Sequence, residues 1–316
     1  MKQKKVLFKM LCQKDFKPVT LADWAFFERH YAIYPQTHSD NTFTNMICWN
    51  HFMHYRYAYV KGNVILACTA AGISRLHPPI GPRDPELMRE VIRLALDIGD
   101  DNKPLMLIDP ETAKWMKKID PALMLVPDLN HFEYVYRALD LAKLPGKKYL
   151  KIRSQLNKFR KNYRHTVEPI TPENREEIME FLVKWCESKR CKNNFTLAHE
   201  IEACSYAIEH LTELHLRGLL IRVGSKIGAI SLFERLNANT ALIHFEKGLT
   251  EYEGIYKVIN AETAAVLASE VEYINRESDL GVSGLREAKL RYHPHHMVEV
   301  YSLKQQTCFP FHEYAL

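Results

Sequence analysis

The chain has 316 residues, 47% of them apolar and 26% charged, with a formal net charge of +5. That balance excludes a disordered chain and gives enough length for two domains, or for one domain built from two similar halves. Seven cysteines at irregular positions (12, 48, 68, 186, 191, 204 and 308) form no pairing framework and fit free thiols in a reducing compartment.

Lys9 interrupts the apolar run that follows the basic start of the chain, so no signal peptide is expected. No stretch approaches the ~18 consecutive apolar residues of a membrane span. The expectation is a soluble, cytoplasmic protein with no integral membrane segment.

In chain order, the first half opens on a strand over KKVLFKM, followed by helices near 20–31 and 40–50 and the paired strands of YRYAYVKGNVILACTA. A helix near 84–98, the strand PLMLI, a short helix over 111–118 and the strand FEYVYR complete it. The aromatic residues Trp24, Phe26, Phe27, Tyr31 and Tyr34 read as core. Leu144-Pro145-Gly146 punctuates the boundary, so the division is 1–142, 143–305 and a tail over 306–316.

The second half begins with the strand HTVEPI. A helix then opens at Thr171, a natural N-cap, with Pro172 at the first helical position and acids in the first turn. A second helix over LAHEIEACSYAIEHLTELH precedes three strands, GLLIRVG, KIGAISLFERL and TALIHFEKG. Next come a helix over 252–269, the strand VEYIN, a helix over 284–292 and the strand MVEVYSL. The class is α/β, with two mixed sheets of similar topology.

Charge is unevenly placed. Residues 143–165 carry nine Lys or Arg and no acid, while the rest of the chain carries 34 basic and 38 acidic residues. Tyr149, Ile152, Leu156, Phe159 and Tyr163 recur at helical steps and define an apolar face. Lys147, Lys151, Lys158 and Lys161 fall opposite it, with Lys148 and Arg153 in the same segment. This is a solvated surface helix or, because the charge is of one sign, a site for a phosphate-bearing ligand.

A second polar concentration is INRESDLGVSGLREAKLRYHP at 274–294. It reads as a strand, a charged turn with permissive Gly281 and Gly284, and then a helix. Either it is an ordinary polar loop or it rims a site.

The order strand, two helices, three-strand meander, helix, strand, helix, strand is that of the GNAT acyltransferases. Through SDNTFTNMICWN near 39, GKKYLKIRSQLNKF at 146–159 and INRESDLGVSGLREAKLRYHP, the chain resembles the family built on the C-terminal domain of phosphatidylglycerol lysyltransferase. The resemblance implies tandem GNAT-like halves, related to the Fem-type aminoacyltransferases, with the active cleft in the second half. It also implies transfer of an acyl or aminoacyl group to an amine or hydroxyl, with no bound cofactor. Aminoacyl-tRNA or acyl-CoA is the implied donor, and a small molecule, peptide or lipid headgroup the acceptor. The full lysyltransferases carry an N-terminal membrane domain that is not read here, which weighs against a lipid acceptor.

Acetyl-CoA enzymes of this fold hold pyrophosphate at a glycine-rich turn opening a helix. The equivalent stretch here, Glu246 to Gly254, has the wrong glycine spacing and three acids, so an aminoacyl-tRNA held by the basic segment is favoured over acetyl-CoA. Direct attack on an activated ester needs a base and stabilisation of an oxyanion. Glu246 is the candidate base and Tyr292 the candidate proton donor to the leaving group. Asn260, Asn275, Arg276, Glu277 and Asp279 are candidate substrate contacts, and Lys289 a candidate for phosphate or oxyanion. Each also has a plain structural reading, as strand-end, capping or core residues.

His51-x-x-His54 and His293-x-His295-His296 lack recognised ligand spacing, and Cys186 and Cys191 form no zinc knuckle or redox pair, so no metal is expected. The remaining readings are a catalytically silent RNA- or polyanion-binding protein of the same fold, and a CoA-dependent N-acetyltransferase.

Overall fold

The computed structural model describes residues 10–98 and 102–305. The expected strand KKVLFKM, Cys308 and the tail over 306–316 lie wholly or largely outside the described residues. The six described cysteines are free thiols.

The first stretch of chain builds β1 (Lys17–Pro18), then helices α1 (Trp24–Ile33), α2 (Phe43–Cys48) and α3 (Asn50–Met53). A meander follows, β2 (Arg56–Val60), β3 (Asn63–Ala70) and β4 (Ile73–Leu76), then α4 (Pro85–Ile98), β5 (Leu105–Ile108), α5 (Pro110–Ile119), β6 (Leu125–Pro127) and β7 (Glu133–Arg137). Helices α6 (Ala138–Lys143) and α7 (Leu150–Asn162) lead to β8 (His165–Pro169), α8 (Arg175–Lys189) and α9 (Phe195–Glu209). The second meander is β9 (Arg217–Val223), β10 (Lys226–Arg235) and β11 (Thr240–Gly248). Then come α10 (Ile255–Leu267), β12 (Tyr273–Ser278), α11 (Ser283–Leu290), β13 (His296–Val298) and β14 (Tyr301–Leu303).

Two seven-stranded mixed sheets result, in the orders β1-β2-β3-β4-β5-β14-β6 and β8-β9-β10-β11-β12-β7-β13. The topologies correspond strand for strand: β4 pairs β5 in parallel as β11 pairs β12, and the remaining neighbours are antiparallel. The α/β class with two mixed sheets of similar topology, expected from the sequence, is the observed one.

The fifth-to-seventh positions hold the departure. β14, from the end of the chain, lies between β5 and β6, and β7, from before residue 143, lies between β12 and β13. The single strand expected over MVEVYSL is two, β13 and β14, in different sheets. Among the described residues, one compact unit therefore combines 10–18, His54–Asp128 and 299–305, and the other combines Val19–Met53 with Leu129–Val298. A single cut at 142/143 does not describe that division, because strand exchange is a long-range choice with no local signature.

The second unit carries the polar residues of interest. Its core joins Tyr134 and Tyr136 of β7 to Ala241 and Ile243 of β11 and to Ile255, Val258 and Ile259 of α10. The apolar stripe of α7 behaves as its periodicity predicts, with Tyr149, Ile152, Leu156 and Phe159 buried. Gly254 caps α10 at φ +92°, and a Cβ there would stand 2.8 Å from the Gln155 carbonyl oxygen of α7, so only glycine fits this crossing.

Candidate active site

Four of the eight candidate residues meet on the α10 side of the sheet. Arg276 of β12 donates to Glu246 of β11 at 2.5 Å, with side chains only 16% and 10% exposed. The buried amide of Asn260 on α10 lies between them: Nδ2 reaches Glu246 Oε1 at 3.3 Å, and with the amide reversed its oxygen accepts from Arg276 Nη1 and Nε at the same distance. The guanidinium stacks 5.0 Å from the Tyr292 ring centre and 5.8 Å from that of Tyr136. Burial disfavours the Arg276 charge, but Glu246 outweighs it and raises the pKa above the ordinary arginine value. Burial raises that of Tyr292, which stays protonated.

Lys257, one turn before Asn260 on α10, completes this group with its Nζ 4.9 Å from the Tyr292 ring centre. Its pKa is lowered by burial and then by the neighbouring Arg276, with Glu246 opposing. One carboxylate thus faces two half-buried cations.

Three of the other four candidates, Asn275, Asp279 and Lys289, are spent on holding the backbone. Asn275 donates to Glu133 Oε2 at 2.6 Å and accepts from the Glu277 amide at 2.8 Å. Glu133, fully buried on β7, also takes the Ser39 amide at 3.0 Å. Asp279 is buried under a bidentate contact from Arg286, at 2.7 and 2.9 Å, and accepts the Gly281 amide at 2.8 Å. Arg286 and Tyr134 overcome the effect of burial and hold its pKa below the usual carboxylate value. Lys289 is not available for a phosphate or oxyanion. Its three N–H donors reach the carbonyls of Arg276, Glu277 and Ser278 at 2.6, 2.9 and 2.5 Å, and burial pushes its pKa down to about 8. The expected charged turn 275–281 is mostly the end of β12, with the turn itself beginning at Asp279.

Glu277, at φ +60°, turns to a residue the sequence reading missed. Its Oε1 lies 3.1 Å from Nδ1 of His244, whose Nε2 lies 2.9 Å from Glu234 Oε1. Thr44 donates to the other Glu234 oxygen at 2.9 Å. Burial works against the imidazolium, but the two carboxylates on its ring nitrogens outweigh it and push the His244 pKa up to about 10. His244 was detectable as a polar residue inside the apolar strand TALIHFEKG, two positions before Glu246. Lys257 and Glu133 carried no comparable signal.

In the basic segment the fold supplies acids the local sequence lacks. Lys158 pairs with Glu253 at 2.7 Å, Arg160 with Glu262 at 2.7 Å, and Lys148 with Asp140 at 3.8 Å. Arg153 turns inward to the carbonyls of Leu144 and Gly146. Lys147, Lys151 and Lys161 remain exposed and without an ion-pair partner among the described residues.

A family model described as phosphatidylglycerol lysyltransferase, C-terminal, matches residues 31–304. The chain belongs to this family. A conserved protein of unknown function from Bacteroides thetaiotaomicron is 30% identical, with a TM-score of 0.83 over 92% of this chain and 99% of that one. The C-terminal domain assigned to a lysylphosphatidylglycerol synthetase in Agrobacterium fabrum shares the fold at 15% identity and TM-score 0.63, covering 91% and 93% of the two chains. So does L-PGS from Bacillus licheniformis, at 15% and 0.59, covering 90% and 93%. No curated protein matches the chain. Among the described residues, no helix is long and apolar enough to cross a membrane. Family membership gives a transferase-like fold, and the Glu246–Arg276 group is its half-buried polar centre on the α10 face.

Proposed function

We propose that the protein transfers an aminoacyl group from aminoacyl-tRNA to an amine or hydroxyl of a small-molecule, peptide or lipid-headgroup acceptor. The observation that carries this reading is the excess of cation over carboxylate at one half-buried place: Arg276 and Lys257 face Glu246 alone. Such a group suits a reaction that develops negative charge on oxygen.

Glu246 takes the proton of the acceptor as its nitrogen or oxygen attacks the ester carbonyl. Arg276 and Lys257 stabilise the resulting oxyanion. Collapse breaks the bond to the ribose oxygen, which leaves with a proton from the Tyr292 hydroxyl, and Tyr292 recovers its proton from Glu246. The α10 start favours this donor over acetyl-CoA, because α7 packs against Gly254 and Glu253 sits at the helix entrance beside Lys158. Exposed Lys147, Lys151 and Lys161 are the tRNA-phosphate contacts of this reading.

Loss of acid-precipitable label from tRNA charged with single amino acids, with hydroxylamine as surrogate acceptor, tests it. The protein should accelerate release for at least one amino acid, and Glu246→Gln should slow that by about 10²-fold or more with tRNA affinity unchanged. Binding of charged tRNA without acceleration assigns the protein to the catalytically silent RNA-binding class. A micromolar calorimetric Kd for acetyl-CoA assigns it to N-acetyl transfer.

A further inference from the structure

Away from the Glu246 group, three ligand-type side chains distant in sequence come together. His51 lies on α3, and His199 and Glu202 lie three residues apart on one side of α9. One donor atom from each falls within 4.8 Å of the other two. Local spacing hides this set: the sequence reading weighs His51 against His54, whereas the fold brings it to α9.

We propose that His51, His199 and Glu202 form a three-ligand site for a zinc-class divalent ion. His51 Nε2 and Glu202 Oε2 are 3.3 Å apart. Tetrahedral zinc, with bonds of about 2.0–2.1 Å to nitrogen and oxygen, sets neighbouring donors about 3.3–3.4 Å apart. Two ligands therefore already span one edge of the tetrahedron.

Three further observations support a built site. Nδ1 of His51 lies 3.2 Å from the Cys48 carbonyl, which fixes the proton on Nδ1 and leaves the Nε2 lone pair toward Glu202, the outer contact a metal-bound histidine needs. The His199 ring is stacked on Phe52 with centres 4.3 Å apart and edged by Phe195 at 4.6 Å, so its orientation is set. Its Nδ1 is nevertheless buried without a hydrogen-bond partner among the described residues, an orphan for which a bound ion is a physical explanation. A surface cleft of about 340 Å³, lined by His51, Glu202, Ser205 and Tyr206 among others, gives an ion access.

Glu202 is 61% exposed and free to close on the ion. Three protein ligands leave the fourth position to water. An ion held there ties α3 to α9, fastening the Val19–Met53 segment to the body of its own unit.

The test uses the full chain, stripped with a chelator and titrated with Co²⁺ and then Zn²⁺. The expected result is one Co²⁺ per chain with the visible absorption of a four-coordinate centre, displaced by one equivalent of Zn²⁺. His199→Ala should abolish that spectrum, and Glu202→Gln should weaken binding by about tenfold or more. Glu202 is exposed and the Gln change isosteric, so that variant reads the site even if His199→Ala fails to fold. Absence of stoichiometric binding overturns the proposal. So does Co²⁺ binding that Glu202→Gln leaves unchanged, which places the ion elsewhere, for example on the adjacent His295 and His296 rings.

Discussion

The Glu234–His244–Glu277 triad predicts an unusual alkaline stability profile. His244 has a folded pKa pushed up to about 10, against an ordinary value of 6.5. Its folded state binds a proton that the unfolded state has released, so its contribution is fully present below pH 6.5 and lost as pH rises toward 10. Lys289 runs the other way: its folded pKa is lowered to about 8 from 10.5, so the folded state releases its proton first and stability rises between those values. From pH 6.5 to 8 Lys289 is silent and His244 contributes about 1.4 kcal/mol per pH unit, a fall of about 2 kcal/mol from this group. From pH 8 to 10 the two slopes oppose, and the profile should level off. His38, whose pKa Glu133 and Asp40 raise against the effect of burial, adds to the early decline. His244→Gln removes the cation between two carboxylates and should cost about 3–5 kcal/mol at pH 7.5. The His244 share of the decline between pH 6.5 and 8 should also disappear with the imidazole. Urea midpoints from pH 5 to 9.5, read by tryptophan fluorescence, measure this, since Trp24, Trp49 and Trp185 all lie in the unit that holds His244. A wild-type midpoint that is flat or rising from pH 6.5 to 8, or a variant with the same decline, refutes the reasoning.

Gln at Lys147, Lys151 and Lys161 should flatten the log–log salt dependence of tRNA binding by about 2, at about 0.7 for each lost phosphate contact, and an unchanged slope in filter binding removes this surface from the donor site. Gly254→Ala forces a side chain into a left-handed position 2.8 Å from a carbonyl oxygen and should cost about 2 kcal/mol or more, whereas Gly284→Ala, with open space around it in α11, should stabilise by about 0.5–1 kcal/mol. Calorimetric melting separates them, and equal shifts would show that the α7–α10 crossing yields.

The order of elements was legible because strands and helices differ in hydrophobic period, and the longer meander strands and the α7 stripe show those periods over five or more residues. β4 was missed because Ile73–Leu76 is short and half-polar, and the β7 and β14 exchange because pairing partners more than a hundred residues apart leave no local mark. The candidate site was half legible for a related reason. Polar residues concentrated in one segment identify a structured turn, but only tertiary contacts decide which side chains face a cleft and which are spent on the backbone. Arg276 reaches Glu246 across the sheet, while Asn275 beside it is turned to Glu133. Single-sign charge was ambiguous for the same reason, since Asp140, Glu253 and Glu262 lie outside residues 143–165 and pair with Lys148, Lys158 and Arg160 within them.

One irregularity connects the two polar groups of the second sheet. Phe233 pairs with Ile243 and the preceding Leu232 with Phe245, so the β10–β11 ladder skips His244. In an unbroken strand Ile243 and Glu246, three apart, would face opposite sides. Here Ile243 packs in the α10 core and Glu246 reaches Asn260 of α10, so both face the same way. The extra residue of the bulge makes that compatible. It places His244 between Glu234 and Glu277 and resets the alternation in time for Glu246 to meet Arg276. Lys247 then faces the other side, toward Glu200 of α9 and the ring of Trp185 on α8. His244→Gln keeps this register and removes only the charge, so a loss of transfer activity in that variant would reflect electrostatics or stability. Deleting residue 244 would instead turn Glu246 away from Arg276 and α10, which makes the bulge, and not the identity of its side chain, the element that sets the geometry of the candidate base.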